Sequence, residues 1–289
     1  MNIIRKNIKE RLGISLFFKY GLLLPALLYL LVFFVYPLMK MLVLSFFDPS
    51  FTLKNYIHIY QRPAYLLVLF YTFRLSLIVS FFTLILGYPV AFLLNRMDSR
   101  SREILMIFVA LPFWTSILVR MYAWMVILGR AGIVNSFLMK MNIISTPLSL
   151  LFNTFSVTVG MVHFLLPFMV FPLYSVMSGI DTNLINAAYS LGASPYRAFM
   201  KVFFPLSLPG VGAGSLIVFI LALGFFITPA LLGGRKDIVI SMLIENQVSV
   251  QFNWGFASAL GFFLLAVTLL IFRIANHFLA FDRIWGKGL

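Results

Sequence analysis

"LSLIVSFFTLILGYPVAFLLN", Leu75 to Asn95, lies between Arg74 and Arg96 and holds no charged residue. A helix of about 20 apolar residues crosses the roughly 30 Å hydrocarbon core of a bilayer. The stretch therefore reads as a transmembrane helix. Outward from it, the same reading recurs. Tyr20 to Met39 is uncharged, with Lys40 placed to snorkel at its end. A third apolar segment begins at Ile104 and is interrupted by Arg120. Leu151 to Ile180 is the fourth. Val202 to Gly234 is uncharged but too long for one straight span, so its first part is expected to belong to the preceding loop. The sixth lies within Asn246 to Phe272, starting near Gly255. The predicted fold class is an all-α integral membrane protein with six transmembrane helices. Residues 20–280 form the span domain, a basic arm covers 1–19, and 281–289 are a tail.

Composition agrees. The 289 residues are 62% hydrophobic and only 10% charged, which no ordinary soluble domain shows. The net charge of +14 reads as basic loops facing anionic headgroups and the cytoplasm, not as a nucleic-acid surface. With the N-terminus inside, Arg5, Lys6, Lys9, Arg11, Lys19, Arg96, Arg100, Arg102, Arg197, Lys201, Arg273, Arg283 and Lys287 fall on the cytoplasmic side. Lys54, Arg62, Arg130, Lys140, Arg235 and Lys236 fall outside, roughly half as many. Both termini are therefore expected in the cytoplasm. The first apolar run is too long for a signal peptide and no small-residue cleavage pattern follows it closely.

Reactive chemistry is missing. There is no cysteine, and His58, His163 and His277 lie in different segments without metal-ligand spacing. No phosphate-binding or dinucleotide glycine pattern occurs. The acids Glu10, Asp48, Asp98, Glu103, Asp181, Asp237, Glu245 and Asp282 all fall in loops or tails. A proton- or sodium-coupled carrier commonly keeps carboxylates at membrane depth. Neither that feature nor an inverted repeat is visible, so the energy for transport is expected from elsewhere. The chain is expected to be no enzyme and to bind no metal or cofactor.

The loop between the fourth and fifth spans is the exception to plain connectivity. "INAAYSLGASPYRAFMKVFFPLSLPG" runs from Ile185 to Gly210. Asp181 or Thr182 can cap a short helix. Leu184, Ala187, Ala188 and Leu191 recur at helical spacing and make one shallow apolar face. Gly192 suits the helix end and Pro195 the start of a second helix reaching Phe203. Pro205 and Pro209 are expected to break the chain before the fifth span. A helix lying on the bilayer would bury Leu, Phe or Trp; alanines suit close approach by another protein.

This segment resembles the cytoplasmic loop of permease subunits in bacterial ATP-binding-cassette importers, whose motif reads EAA, three residues, G, nine residues, I-x-L-P. Here Ala187, Ala188, Gly192 and Pro205 keep the register, Asn186 replaces the Glu, and Val202 and Phe204 keep apolar character. "FTLKNY" from Phe51, "LPFWTSILVRMYAWMVILGR" from Leu111 and "LPFMVFPLYS" from Leu166 look like the first-permease branch of the spermidine/putrescine family. The resemblance implies a short cytoplasmic coupling helix within 181–205, with Asn186, Ala187, Ala188, Gly192, Ala193, Ser194, Pro195, Arg197 and Pro205 facing the ATPase. It also implies a second permease subunit, two ATP-binding-cassette ATPase subunits that use ATP and Mg²⁺, a periplasmic substrate-binding protein, and residence in the bacterial inner membrane. Another solute in the same machine (phosphonate, iron, thiamine, an opine or an amino-acid derivative) is the first alternative. A self-sufficient channel or carrier is the second.

Within the spans, Arg120 costs about 2.5–3.5 kcal/mol at a helix centre on insertion scales. It is expected near the outer water, either lining a gate, meeting a partner, or snorkelling. Trp114, Tyr122 and Trp124 accompany it as pathway or interfacial-belt residues. Phe225, Phe226 and Thr228, between Gly224 and Pro229, are pathway candidates in which the aromatic rings could hold ammonium groups. Gly210 and Gly214 form a small-small step for helix packing, against the paired permease or within the chain's own bundle.

Overall fold

The computed structural model describes residues 21, 23–47 and 50–279. The arm 1–19 and the tail 281–289 lie outside the described residues. Six helices are long and apolar enough to cross a membrane: Leu24–Phe46, Pro63–Arg96, Ile117–Lys140, Thr154–Ser178, Pro195–Leu223 and Trp254–Ile274. Among the described residues no strand forms; Phe47 and Phe51 make one isolated bridge.

The second, fourth and fifth spans form the core, and the fourth lies at its centre. Leu165, Met169, Val170, Leu173 and Met177 of the fourth span are fully buried. Lipid tails are as apolar as leucine, so close backbone packing has to hold such helices together. Glycine provides it. A Cβ on Gly210 would stand 3.0 Å from the Val176 Cβ and 3.2 Å from the Leu173 Cα. One on Gly214 would stand 2.8 Å from the Met169 Sδ, and one on Gly87 2.8 Å from the Met169 Cγ. The Gly210–Gly214 step thus packs inside the chain's own bundle, against the fourth span. The first span packs on the sixth, apart from this core.

Several boundaries differ from the hydropathy reading. The first span continues past Lys40 to Phe46, because its last turns dock on neighbours: Ser45 shares a hydrogen bond with Tyr56 and Met41 Sδ accepts one from Ser258. The second begins at Pro63, so Arg74 lies within the helix rather than at its start. Helix Ser99–Ala110 is capped by Asp98, whose carboxylate accepts from the Ser101 N–H and is held below its usual pKa by that bond. The chain then turns through Leu111–Phe113 and resumes as Ile117–Leu128. The third apolar segment is therefore a broken helix, where one interrupted only by Arg120 was expected; Pro112 lacks the N–H that would continue it. A further break before Ile133 separates a short helix, Ile133–Lys140.

The fifth span overturns two expectations. Its helix begins at Pro195, passes Pro205 and Pro209 without a break, and ends at Gly224, followed by a short helix Ile227–Leu232. The excess length sits at the far end, not in the preceding loop. Continuity at Pro205 has a local cause. Phe199–Phe203 form a π turn in which the Phe204 N–H bonds five residues back to the Phe199 carbonyl. The widened turn falls immediately before the residue that has no N–H to donate. The first span repeats the device: a π turn at Leu31–Val35, closed by the Tyr36 N–H on Leu31, precedes Pro37.

Candidate functional site

The loop helix Thr182–Ser190 is a capped, projecting unit. Asp181 accepts from the Asn183 N–H at 2.9 Å. At the other end the Ala193 N–H bonds to the Ala188 carbonyl at 3.0 Å and the Gly192 N–H to the Tyr189 carbonyl at 2.9 Å. These two bonds make a Schellman ending, which needs a left-handed residue. Gly192 supplies it, with φ +80° and open space where a Cβ would be. No residue of the helix is buried. Ile185 packs back on the core, whereas Leu184, Asn186 and Ala187 are exposed, Ala188 is half-buried, and Leu191 is 88% exposed. Ala193 is half-buried, and Ser194 accepts from the Arg197 N–H to start the next turn at Pro195. Tyr196 and Arg197 face outward and Ala198 inward.

Below the loop an aromatic cluster ties it to the core. Phe199 and Phe203 meet Phe92 of the second span edge-on at 5.4 and 5.2 Å. Tyr88 shares a hydrogen bond of 2.9 Å with Ser207. The projecting helix therefore lies at the Arg96 end of the second span, and the uninterrupted helix from Pro195 connects it rigidly to the fifth.

The pathway candidates divide. Arg120, Trp124 and Phe225 come together around the fourth span, whereas Trp114 (79% exposed), Tyr122 and Phe226 face away from the core. Thr228 is sealed among helices, with its hydroxyl on the Met121 sulfur at 3.3 Å. The Arg120 guanidinium lies over the Phe164 ring at 4.8 Å, and its Nη2 donates to the Thr115 carbonyl at 3.0 Å. Phe164 also contacts Phe225, centroids 5.1 Å apart. Trp124 Nε1 donates to His163 Nδ1 at 3.3 Å. Phe164 is ten residues, about 15 Å, into the fourth span, near the middle of that 25-residue helix. Arg120 is thus buried beside the break in the third segment, with its side chain turned inward onto Phe164. His163 and Phe164 escaped the sequence reading; an ionisable residue inside a span was the signal that pointed to His163.

The opposite end holds a polar anchor. Asp237 follows the "LLGGRK" turn but is buried, and accepts hydrogen bonds from Tyr71, Thr154 and the Gly234 N–H. It fastens the loop after the fifth span to the starts of the second and fourth. Beside it, the amphipathic helix Lys54–Gln61 and the end of helix Ile240–Ser249 border a polar groove of ≈ 530 Å³ lined by Lys54, His58, Gln247, Gln251 and Asn253.

With this geometry in place, the comparisons with known proteins identify the family. Residues 83–281 match the family described as binding-protein-dependent transport system inner membrane component. The chain belongs to that family. It is a multi-pass inner-membrane transport subunit. It is 36% identical over 238 residues to the spermidine/putrescine transport system permease protein PotB of Haemophilus influenzae, covering 81% of this chain and 83% of that one. Against PotB of Escherichia coli the identity is 37% over 242 residues, covering 81% and 86%. The inner membrane ABC transporter permease protein YdcU of Escherichia coli is 31% identical over 251 residues, covering 82% and 79%. The fold matches a bacterial ABC transporter involved in the import of the acidic polysaccharide alginate, with a TM-score of 0.74, 19% identity and coverage of 96% and 98%.

Proposed function

We propose that this chain is one of two transmembrane subunits of an ATP-driven importer for polyamines of the spermidine and putrescine class. A periplasmic binding protein delivers the solute, and two ATPase subunits, which bind the ATP and Mg²⁺, supply the work. The chain itself holds no cofactor. The observation that carries the mechanism is the projecting helix Thr182–Ser190, none of whose residues is buried and whose Leu184, Ala187 and Leu191 form an uncovered face. The observation that supports the solute is the 36–37% identity to PotB proteins over 81% of the chain.

In this reading the face docks in a groove of the ATPase. When the ATPase dimer closes, the helix moves as a unit, and the aromatic cluster at Phe92, Phe199 and Phe203 carries the motion into the second and fifth spans. The cavity shared with the second subunit then opens to the other side. The complete importer in proteoliposomes tests this. Wild-type vesicles should accumulate labelled spermidine with ATP inside, and Gly192→Trp should still insert but lose ATP-dependent uptake. Normal uptake by that variant sinks the docking claim; uptake of another solute with none of spermidine sinks the solute assignment alone.

A further inference from the structure

Among the described residues Arg120 has no counter-charge, and its surroundings indicate what kind of group would provide one. The side chain is 8% exposed, and its Nε and Nη1 have no hydrogen-bond partner among the described residues. Thr115 takes one N–H of Nη2 and the Phe164 ring faces the cation, but neither brings a negative charge. His163 accepts from Trp124 at Nδ1, which leaves Nε2 to carry the proton of the neutral ring. The cluster thus offers hydrogen-bond donors and aromatic faces. The described carboxylates are engaged or distant: Asp98 and Asp181 cap helices, Glu103 meets Ser99, Asp237 is held by Tyr71 and Thr154, and Glu245 lies on helix Ile240–Ser249. A guanidinium is always charged and matches a carboxylate in shape.

We infer that Arg120 receives a carboxylate from outside this chain, beside the break at Leu111–Ser116. The inference rests on the reading of the chain as one of two transmembrane subunits. Two sources share the chemistry: an acidic side chain in a span of the second subunit, which is the source a polyamine solute requires, or an acidic group on the solute, which would overturn the polyamine assignment. Nε and Nη1 are sealed in the conformation described, so the pairing belongs to another position of helix Ile117–Leu128, whose start has no side-chain cap. A polycation would be repelled by an unneutralised Arg120, which makes such a pair a condition for its passage.

The complete importer is assembled with Arg120, Arg120→Lys, Arg120→Gln and Arg120→Met, and ATPase activity stimulated by the loaded binding protein is measured beside uptake. Lys keeps the charge but not the bidentate shape and should retain more function than Gln or Met, which should fall by about tenfold or more, the usual penalty for leaving a buried charge unpaired. If Gln matches wild type, the charge is dispensable and the inference fails; the Lys–Gln comparison decides even if Met does not assemble. Arg120→Glu is then combined with acid-to-lysine changes in the second subunit's spans. A restoring pair identifies that subunit as the source. No restoring pair, with a raised half-saturating solute concentration in Arg120→Gln, identifies the solute. No restoring pair with unchanged half-saturation means that water or a small ion serves, and overturns the inference. Wild-type uptake of labelled spermidine, measured separately, tests the solute assignment.

Discussion

Gly192 has the positive φ that its helix ending demands, and nothing crowds it. Its requirement is conformational rather than spatial. Gly192→Asn should keep coupling, because asparagine tolerates the left-handed region, while Gly192→Val should lose it. ATP-dependent uptake of the two variants side by side is the measurement; equal activity refutes the assignment. Asp237 makes the opposite kind of demand. It is buried and takes two hydroxyls and one backbone N–H. Asp237→Ala would leave the Tyr71 and Thr154 hydroxyls without their acceptor, at about 1–3 kcal/mol for a buried unpaired group. A lower melting temperature of the purified protein in detergent should show it, with Tyr71→Phe losing less because Thr154 and the Gly234 N–H still donate to the carboxylate. At this scale the sequence was partly legible: Gly192, Asp181 and Pro195 were readable because capping is local chemistry. Asp237 appeared only as one loop acid among several, since its side-chain partners Tyr71 and Thr154 lie more than eighty residues away in the chain.

Among elements, the continuous helix from Pro195 to Leu223 matters most. Two prolines suggested a break. The π turn at Phe199–Phe203 absorbs the first of them, and the loop is joined stiffly to the fifth span instead of being insulated from it. Pro205→Ala should therefore preserve coupling, since no hinge is removed. Phe199→Ala should weaken it, by removing edge-on contacts with Tyr88 and Phe92 worth about 0.5–1.5 kcal/mol each. The readout is solute moved per ATP hydrolysed. Unimpaired stoichiometry in Phe199→Ala would show that motion passes by another route. The broken third segment was invisible to hydropathy, because a turn such as Leu111–Ser116 is as apolar as the helices it joins.

For the whole molecule, the two ends of the bundle are chemically distinct. One carries the loop helix and Arg96; the other carries the Asp237 anchor and the polar groove. From the basic-residue bias we propose that the first end faces the cytoplasm. The chain has no cysteine, so single-cysteine variants report cleanly. Leu191→Cys should react with an impermeant maleimide only from the cytoplasmic side, and Gln251→Cys only from the periplasmic side. Reversed labelling would invert the topology and remove the ATPase from reach of the loop.

The number of spans, the basic bias and the capped loop were all determined by the sequence alone. Each rests on length, charge or local backbone chemistry, which act over a few residues. Which face of each span meets its neighbours was decided only by the tertiary structure. In lipid the outer and inner faces of a helix are equally apolar, so periodicity carries little of that information. That is why Gly210 and Gly214 could be assigned to the fourth span, and Arg120 to the buried face over Phe164, only once the helices were packed together.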